Sequence, residues 1–158
     1  MRDVLSTIEK AASAALLAVL VATIFAQVLS RFVFNFPLAW SEEISRYSFI
    51  WLTMIAAPLC IRARANIRMD VAAKLLPPNG VMLIELLSVA LTLTLCIVLL
   101  VWGYRILPVV SHQLSPAIGI PMYWVYGAIP IGAFLMIIEL LIALWDVFAK
   151  SRGDEASS

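Results

Sequence analysis

Three charged residues lie close together at the edge of an apolar stretch. Glu42 and Glu43 precede Arg46 by four and three residues, so on a helix both carboxylates lie beside the guanidinium. One interpretation is an ion pair that neutralises Arg46 where an apolar helix begins. The other is a docking surface for a partner protein. Residue types and spacing leave both interpretations open.

A fourth charged residue, Glu139, lies inside the apolar stretch 120–145. If that stretch is a helix that ends near Trp145, the carboxylate lies about 9 Å from its end. Glu139 then pairs with a base such as Arg62 or Arg64, stays protonated, or faces a partner protein. A proton relay needs a chain of acids, and this stretch has one.

The other reactive residue types form no recognisable reaction centre. Cys60 and Cys96 both lie in apolar stretches, and His112 is the single histidine. The spacing fits neither a disulfide framework nor a metal site. The six glycines form no phosphate-binding motif. We therefore predict no catalytic residues, no cofactor and no bound metal.

The amino-acid composition predicts which secondary structure positions these residues. Of 158 residues, 63% are hydrophobic and 13% are charged, against about 45–50% and about 25% in soluble domains. Soluble, disordered, collagen-like and nucleic-acid-binding proteins are excluded. About 20 apolar residues cross a bilayer as a helix, and four stretches qualify: 11–30, 44–61, 81–107 and 120–145. We predict an all-α membrane protein, with four transmembrane helices in one domain over residues 1–150.

The basic residues predict the orientation. With four spans, both termini and the middle loop share one side, which carries eight of the eleven basic residues: Arg2, Lys10, Arg62, Arg64, Arg68, Lys74, Lys150 and Arg152. The opposite side carries Arg31, Arg46 and Arg105. Because basic residues accumulate on the cytoplasmic side, we predict cytoplasmic termini and a polar cytoplasmic tail at 151–158. The apolar segment 31–41 between helices 1 and 2 is predicted to lie along the outer interface.

The centres of the predicted spans favour a supporting role. They consist almost wholly of Leu, Ile, Val, Ala and Phe, whereas a transporter needs interrupted helices or polar groups near the membrane midplane. An alternative is a small, self-sufficient, proton-coupled exporter that works as a homodimer, with Glu139 as its coupling acid.

Three segments resemble one membrane protein family, the small permease subunit of tripartite ATP-independent periplasmic (TRAP) transporters. The segment 36–46 (FPLAWSEEISR) is similar to its Trp, Glu-Glu, Arg signature. The segment 64–70 (RANIRMD), with Leu76-Pro77 after it, resembles a cytoplasmic Gly-x-His-Ile-x-hydrophobic-Asp pattern. Here Arg64 replaces the glycine and Asn66 the histidine, so any role of that imidazole is lost. The segment 115–126 (SPAIGIPMYWVY), with Pro130, resembles the family's entry into span four.

The resemblance implies that this chain is one subunit of a three-component, typically sodium-driven importer of the bacterial inner membrane. A periplasmic solute-binding protein delivers an organic acid, a large permease subunit on a separate chain moves it by an elevator motion, and the small subunit braces the large one within the lipid bilayer. The candidate partner-interface or structural residues are Trp40, Glu42, Glu43, Arg46, Arg64, Arg68, Asp70 and Glu139.

Overall fold

Four long helices and one short helix make up the fold. The computed structural model describes the backbone of residues 2–36, 38–75 and 78–155, and the side chains of residues 6–36, 38–63, 80, 84 and 86–145. The helices are α1 (Arg2–Val33), α2 (Ala39–Leu75), α3 (Pro78–Val110), α4 (Tyr123–Tyr126) and α5 (Ala128–Glu155). Four stretches are long and apolar enough to cross a membrane: Ser6–Val33, Ala39–Ala63, Leu86–Val110 and Tyr123–Trp145. The prediction of an all-α protein with four transmembrane helices is confirmed.

The predicted loop between spans two and three is helical instead. α2 continues past the predicted end at residue 61 to Leu75. The segment 62–75 contains no glycine or proline and is rich in Ala and Arg, which favour helix. The side chains of Arg64, Arg68 and Asp70 lie outside the described part of the chain, so the roles expected for them stay predictions.

The start of α3 also differs from the sequence prediction. The sequence PPNG at 77–80 predicts a turn with Asn79 as the helix cap, of which Pro77 lies outside the described residues. The helix begins at Pro78, and Asn79 lies inside its first turn. Proline suits this position because its fixed φ matches a helix and its missing N–H would have no partner there.

The helices form a row rather than a closed bundle. In the described part of the chain, α1 packs against α2 alone, α2 packs against α5, and α5 packs against α3, while α2 and α3 meet only briefly. The order across the row is α1, α2, α5, α3. The first helix is therefore held to the rest of the protein through α2.

The core lies where α2, α3 and α5 meet. Its buried members are Cys96, Ala133, Met136 and Leu140, surrounded by half-buried side chains. Two glycines bring the backbones close. A Cβ on Gly132 would lie 2.6 Å from Met54 Cβ and 2.8 Å from Met54 O, and a Cβ on Gly103 would lie 3.0 Å from Ile129 Cγ2. Small residues at helix crossings are a common packing device in membranes, because they maximise van der Waals contact.

The two outermost helices of the row expose large apolar side chains. On α1, Phe25 is 63% exposed, and on α3 Leu91 is 70% exposed. An apolar surface of this extent is incompatible with water. It is suited to contact with lipid or with another membrane protein.

We expect Gly132→Ala to weaken the contact between α2 and α5. The added methyl group meets the Met54 backbone, and overpacking of this kind costs about 1–3 kcal/mol. Thermal unfolding in detergent, followed by tryptophan fluorescence, measures the loss. Ala90→Val, which enlarges an exposed side chain on α3, is the control. Equal unfolding midpoints for the two variants would contradict the assigned contact.

Candidate functional site

The candidate residues fall into two clusters near opposite ends of the apolar stretch Ala39–Ala63 of α2. The outer cluster contains Glu42, Glu43 and Arg46, and the inner cluster is built around Arg62. Nineteen residues separate Glu43 from Arg62, which corresponds to about 28 Å along a helix. This distance is close to the hydrocarbon thickness of a bilayer, roughly 30 Å.

In the outer cluster, Arg46 pairs with Glu42. The Arg46 Nη2 atom lies 2.9 Å from Glu42 Oε1, and both side chains are more than half exposed. Glu42 also lies in the first turn of α2, where the helix dipole favours a negative charge. Of the two carboxylates predicted to lie beside Arg46, Glu42 forms the ion pair. Because both side chains are exposed, the pair itself contributes little to stability.

Glu43 is not part of that ion pair, contrary to the sequence expectation. It is buried, and its carboxylate accepts hydrogen bonds from Ser115 Oγ, from the Ala117 N–H at 3.0 Å and from the Ile118 N–H at 3.2 Å. Consecutive residues point about 100° apart around a helix. Glu42 therefore points outward while Glu43 points towards the loop 111–122, a direction that spacing along α2 alone does not reveal.

The loop 111–122 is shaped to receive this carboxylate. Antiparallel backbone hydrogen bonds run from Ser115 N to Ile120 O at 2.9 Å and from Met122 N to Gln113 O at 2.9 Å. Gly119 closes the turn with a φ of 75°, a conformation that glycine adopts at little cost. The turn leaves the N–H groups of Ala117 and Ile118 directed at Glu43. The carboxylate thus ties the loop to the outer end of α2.

Trp40 lies in an exposed apolar surface near the outer cluster. Its side chain is 45% exposed, and Phe32, Phe34 and Phe36 are more exposed still. The connection between α1 and α2 is held by Ser30, whose hydroxyl donates to Phe36 O and whose carbonyl accepts from Phe34 N. Asn35 takes a positive φ of 51° in this turn. These contacts fix the direction in which the aromatic residues project.

The inner cluster joins three helices through Arg62. Its Nε donates to Glu139 Oε2 at 3.0 Å, and its Nη2 donates to Glu139 Oε1, so α2 and α5 share a bidentate ion pair. Of the three interpretations of Glu139, the structure shows pairing with Arg62. Glu139 is only 2% exposed, and a carboxylate buried this deeply needs such a partner.

A third member of the inner cluster, Glu9, was missed from the sequence. Its Oε2 lies 3.7 Å from Arg62 Nη2, and its side chain is 4% exposed. Glu9 precedes the predicted first span, so nothing local distinguished it from a solvated acid. Its partner is 53 residues away in sequence, and only the packing of α1 on α2 brings the two together.

The described side chains include no group of three or more His, Cys, Asp or Glu residues that could hold a metal ion. Both clusters instead connect elements of the fold. The outer cluster fixes a loop to α2, and the inner cluster fixes α1 and α5 to α2.

We expect Glu43→Ala to release the loop 111–122. The Ser115 hydroxyl and two N–H groups then lose their acceptor, and amide exchange at Ala117 and Ile118 becomes faster by roughly tenfold or more. Hydrogen exchange with mass spectrometry measures this rate. Glu42→Ala removes the neighbouring carboxylate, which bonds Arg46 instead, so exchange at these two amides stays unchanged. The same rate in both variants would refute the role of Glu43.

We expect Arg62→Met to destabilise the inner end of the row. The change leaves Glu139 buried without a counter-charge, which typically costs about 3–5 kcal/mol. Unfolding in mixed detergent micelles measures the change in free energy. Because the cost arises from the stranded carboxylate, the double variant Arg62→Met/Glu139→Gln recovers part of the loss. A single variant as stable as the wild type would show that the ion pair is not structural.

Known proteins are similar to this chain over most of its length. The family described as tripartite ATP-independent periplasmic transporters, DctQ component, matches residues 20–150. The chain is 30% identical over 121 residues to the sialic acid TRAP transporter permease protein SiaT of Haemophilus influenzae, a match that covers 76% of this chain and 20% of that protein. The chain thus spans about a fifth of the length of that relative.

Two shorter relatives match nearly end to end. A putative TRAP transporter small permease protein of Haemophilus influenzae is 27% identical, over 88% of this chain and 87% of that protein. The sialic acid TRAP transporter small permease protein SiaQ of Vibrio cholerae is 22% identical, over 100% of this chain and 91% of that protein. With a family match that covers most of the four spanning helices, the chain belongs to the DctQ-component family of tripartite ATP-independent periplasmic transporters.

Proposed function

We propose that this chain is the small membrane subunit that braces the large elevator subunit of a TRAP importer. In this proposal the large subunit is a separate chain in the bacterial inner membrane. A periplasmic binding protein delivers an organic acid, and the large subunit takes it up together with sodium. Both termini of the small subunit lie in the cytoplasm. This chain carries no catalytic activity and binds no cofactor.

The observation that carries the proposal is the distribution of polar groups. Every charged side chain that the structure describes lies near an end of a spanning helix, in or beyond the two clusters. Deeper in the membrane, the hydroxyls of Thr53, Thr92 and Thr94 donate to carbonyls of their own helices. These groups bond within the chain and do not converge on a solute. A transport site needs converging polar groups near the midplane.

The row of helices supports a role as a brace. In the described part of the chain α1 packs on α2 alone, so the helices form an extended row. In lipid, helices associate through close packing rather than through the hydrophobic effect. A rigid row placed beside a moving subunit widens the static frame against which that subunit moves.

The loop tied by Glu43 supports an outer contact in the same complex. With the termini in the cytoplasm, the outer cluster and the loop 111–122 face the periplasm. There Trp40 and the Glu42–Arg46 pair lie exposed on a fixed backbone. We propose this surface as a contact for the large subunit or the binding protein.

The alternative, a self-sufficient proton-coupled exporter, is not favoured. It requires Glu139 to exchange protons with the transport path, but both oxygens of Glu139 bind Arg62. The family match also favours one component of a larger transporter.

Purification of the tagged chain from its own host in mild detergent tests the proposal. We expect a large multispan permease to copurify in near-equal amount. Vesicles that contain both subunits and the binding protein should take up an organic acid when a sodium gradient is applied, whereas vesicles with the small chain alone should not. Recovery of the chain alone, or transport by the chain alone, would contradict the proposal.

A further inference from the structure

Among the described side chains, the inner cluster contains two acids around Arg62, and the hydrogen bonds between them and Arg62 go to Glu139. Glu139 accepts from two different nitrogens of Arg62. Glu9 Oε2 lies 3.7 Å from Arg62 Nη2, the nitrogen that also bonds Glu139, and this contact is too long for a hydrogen bond. The two carboxylates therefore have different environments around the same guanidinium.

The Glu9 carboxyl group is buried and lacks hydrogen-bond donors. Both of its oxygens are inaccessible to solvent and have no hydrogen-bond partner. Ser13 Oγ, one turn further along α1, is also buried without a partner. An ionised carboxylate that loses water without gaining donors is strongly disfavoured, whereas a neutral carboxylic acid is tolerated at much lower cost.

The charges that face Glu9 add to this imbalance. Arg62 faces it from α2, and Glu139 contributes a like charge from α5. Lys10, the next residue of α1, is exposed. Among the described side chains, these two carboxylates share one cation, and ionising both leaves a net negative charge among the three. Glu139 accepts two hydrogen bonds from Arg62, whereas Glu9 accepts none.

We propose that Glu9 is a proton-binding site: at neutral pH its carboxyl group is protonated, next to an ionised Glu139–Arg62 pair. The proton removes the second negative charge from the described part of the junction of α1, α2 and α5. Because α1 packs on no other helix than α2 in the described part of the chain, the proton on Glu9 is part of what holds α1 in the row. The inference does not depend on the transport role proposed above.

Infrared spectroscopy of the full chain in lipid nanodiscs tests the site directly. A protonated carboxylic acid gives a carbonyl stretching band that shifts in D2O. We expect this band at neutral pH in the wild type and in the control variant Glu42→Gln, whose carboxylate is exposed and paired. We expect Glu9→Gln to lack the band. A wild-type spectrum without it, or a band that persists in Glu9→Gln, would overturn the proposal.

The pH dependence of unfolding provides a second readout. An acid that holds its proton in the folded protein stabilises the fold less as the pH rises, because the unfolded chain releases the proton more readily. We expect the unfolding midpoint of the wild type to fall, relative to that of Glu9→Gln, as the pH rises above about 4.3, where an unfolded glutamate ionises. Because Gln cannot release a proton on unfolding, Glu9→Gln should have the higher midpoint at neutral pH and should lack this fall. The same fall in both proteins would refute the site.

Discussion

The close contact between α2 and α5 holds the row of helices together. At Gly132 the α5 backbone approaches Met54 so closely that no side chain fits between them. Every other helix depends on this pair, since α1 packs on α2 and α3 packs on α5. In a bilayer, apolar side chains gain little by leaving lipid for protein. Shape and a few polar bonds therefore decide which helices stay together.

Those polar bonds lie at the two ends of the α2–α5 contact. On the inner side, the ion pair of Arg62 and Glu139 joins α2 directly to α5. On the outer side, Glu43 joins α2 to the loop that leads into α4 and α5. Both carboxylates are buried, and both find their donors on another element. The middle of the membrane is left to apolar packing, which suits a rigid support better than a solute pathway.

The number and type of the helices could be predicted because hydrocarbon thickness requires long apolar stretches with internally satisfied backbones. The end of α2 could not, because a helix continues beyond its apolar stretch when no glycine or proline stops it, as in residues 62–75. The start of α3 could not, because Pro78 begins a helix where a turn was the prediction. The Glu42–Arg46 pair could be predicted because both residues lie on one helix, one turn apart. Glu9 could not, since its partner comes from another helix.

The sequence was enough to establish a four-helix membrane protein with charges at its membrane edges. Composition and local spacing express those properties directly, and three short segments already resembled the family. The assignment of each charge to its partner required the fold. In the fold, Glu43 bonds the loop 111–122 instead of Arg46, and Arg62 contacts Glu9 and Glu139 from two other helices. The direction of a side chain around its helix matters only once neighbouring helices are in place, and their order in the row is set by long-range packing.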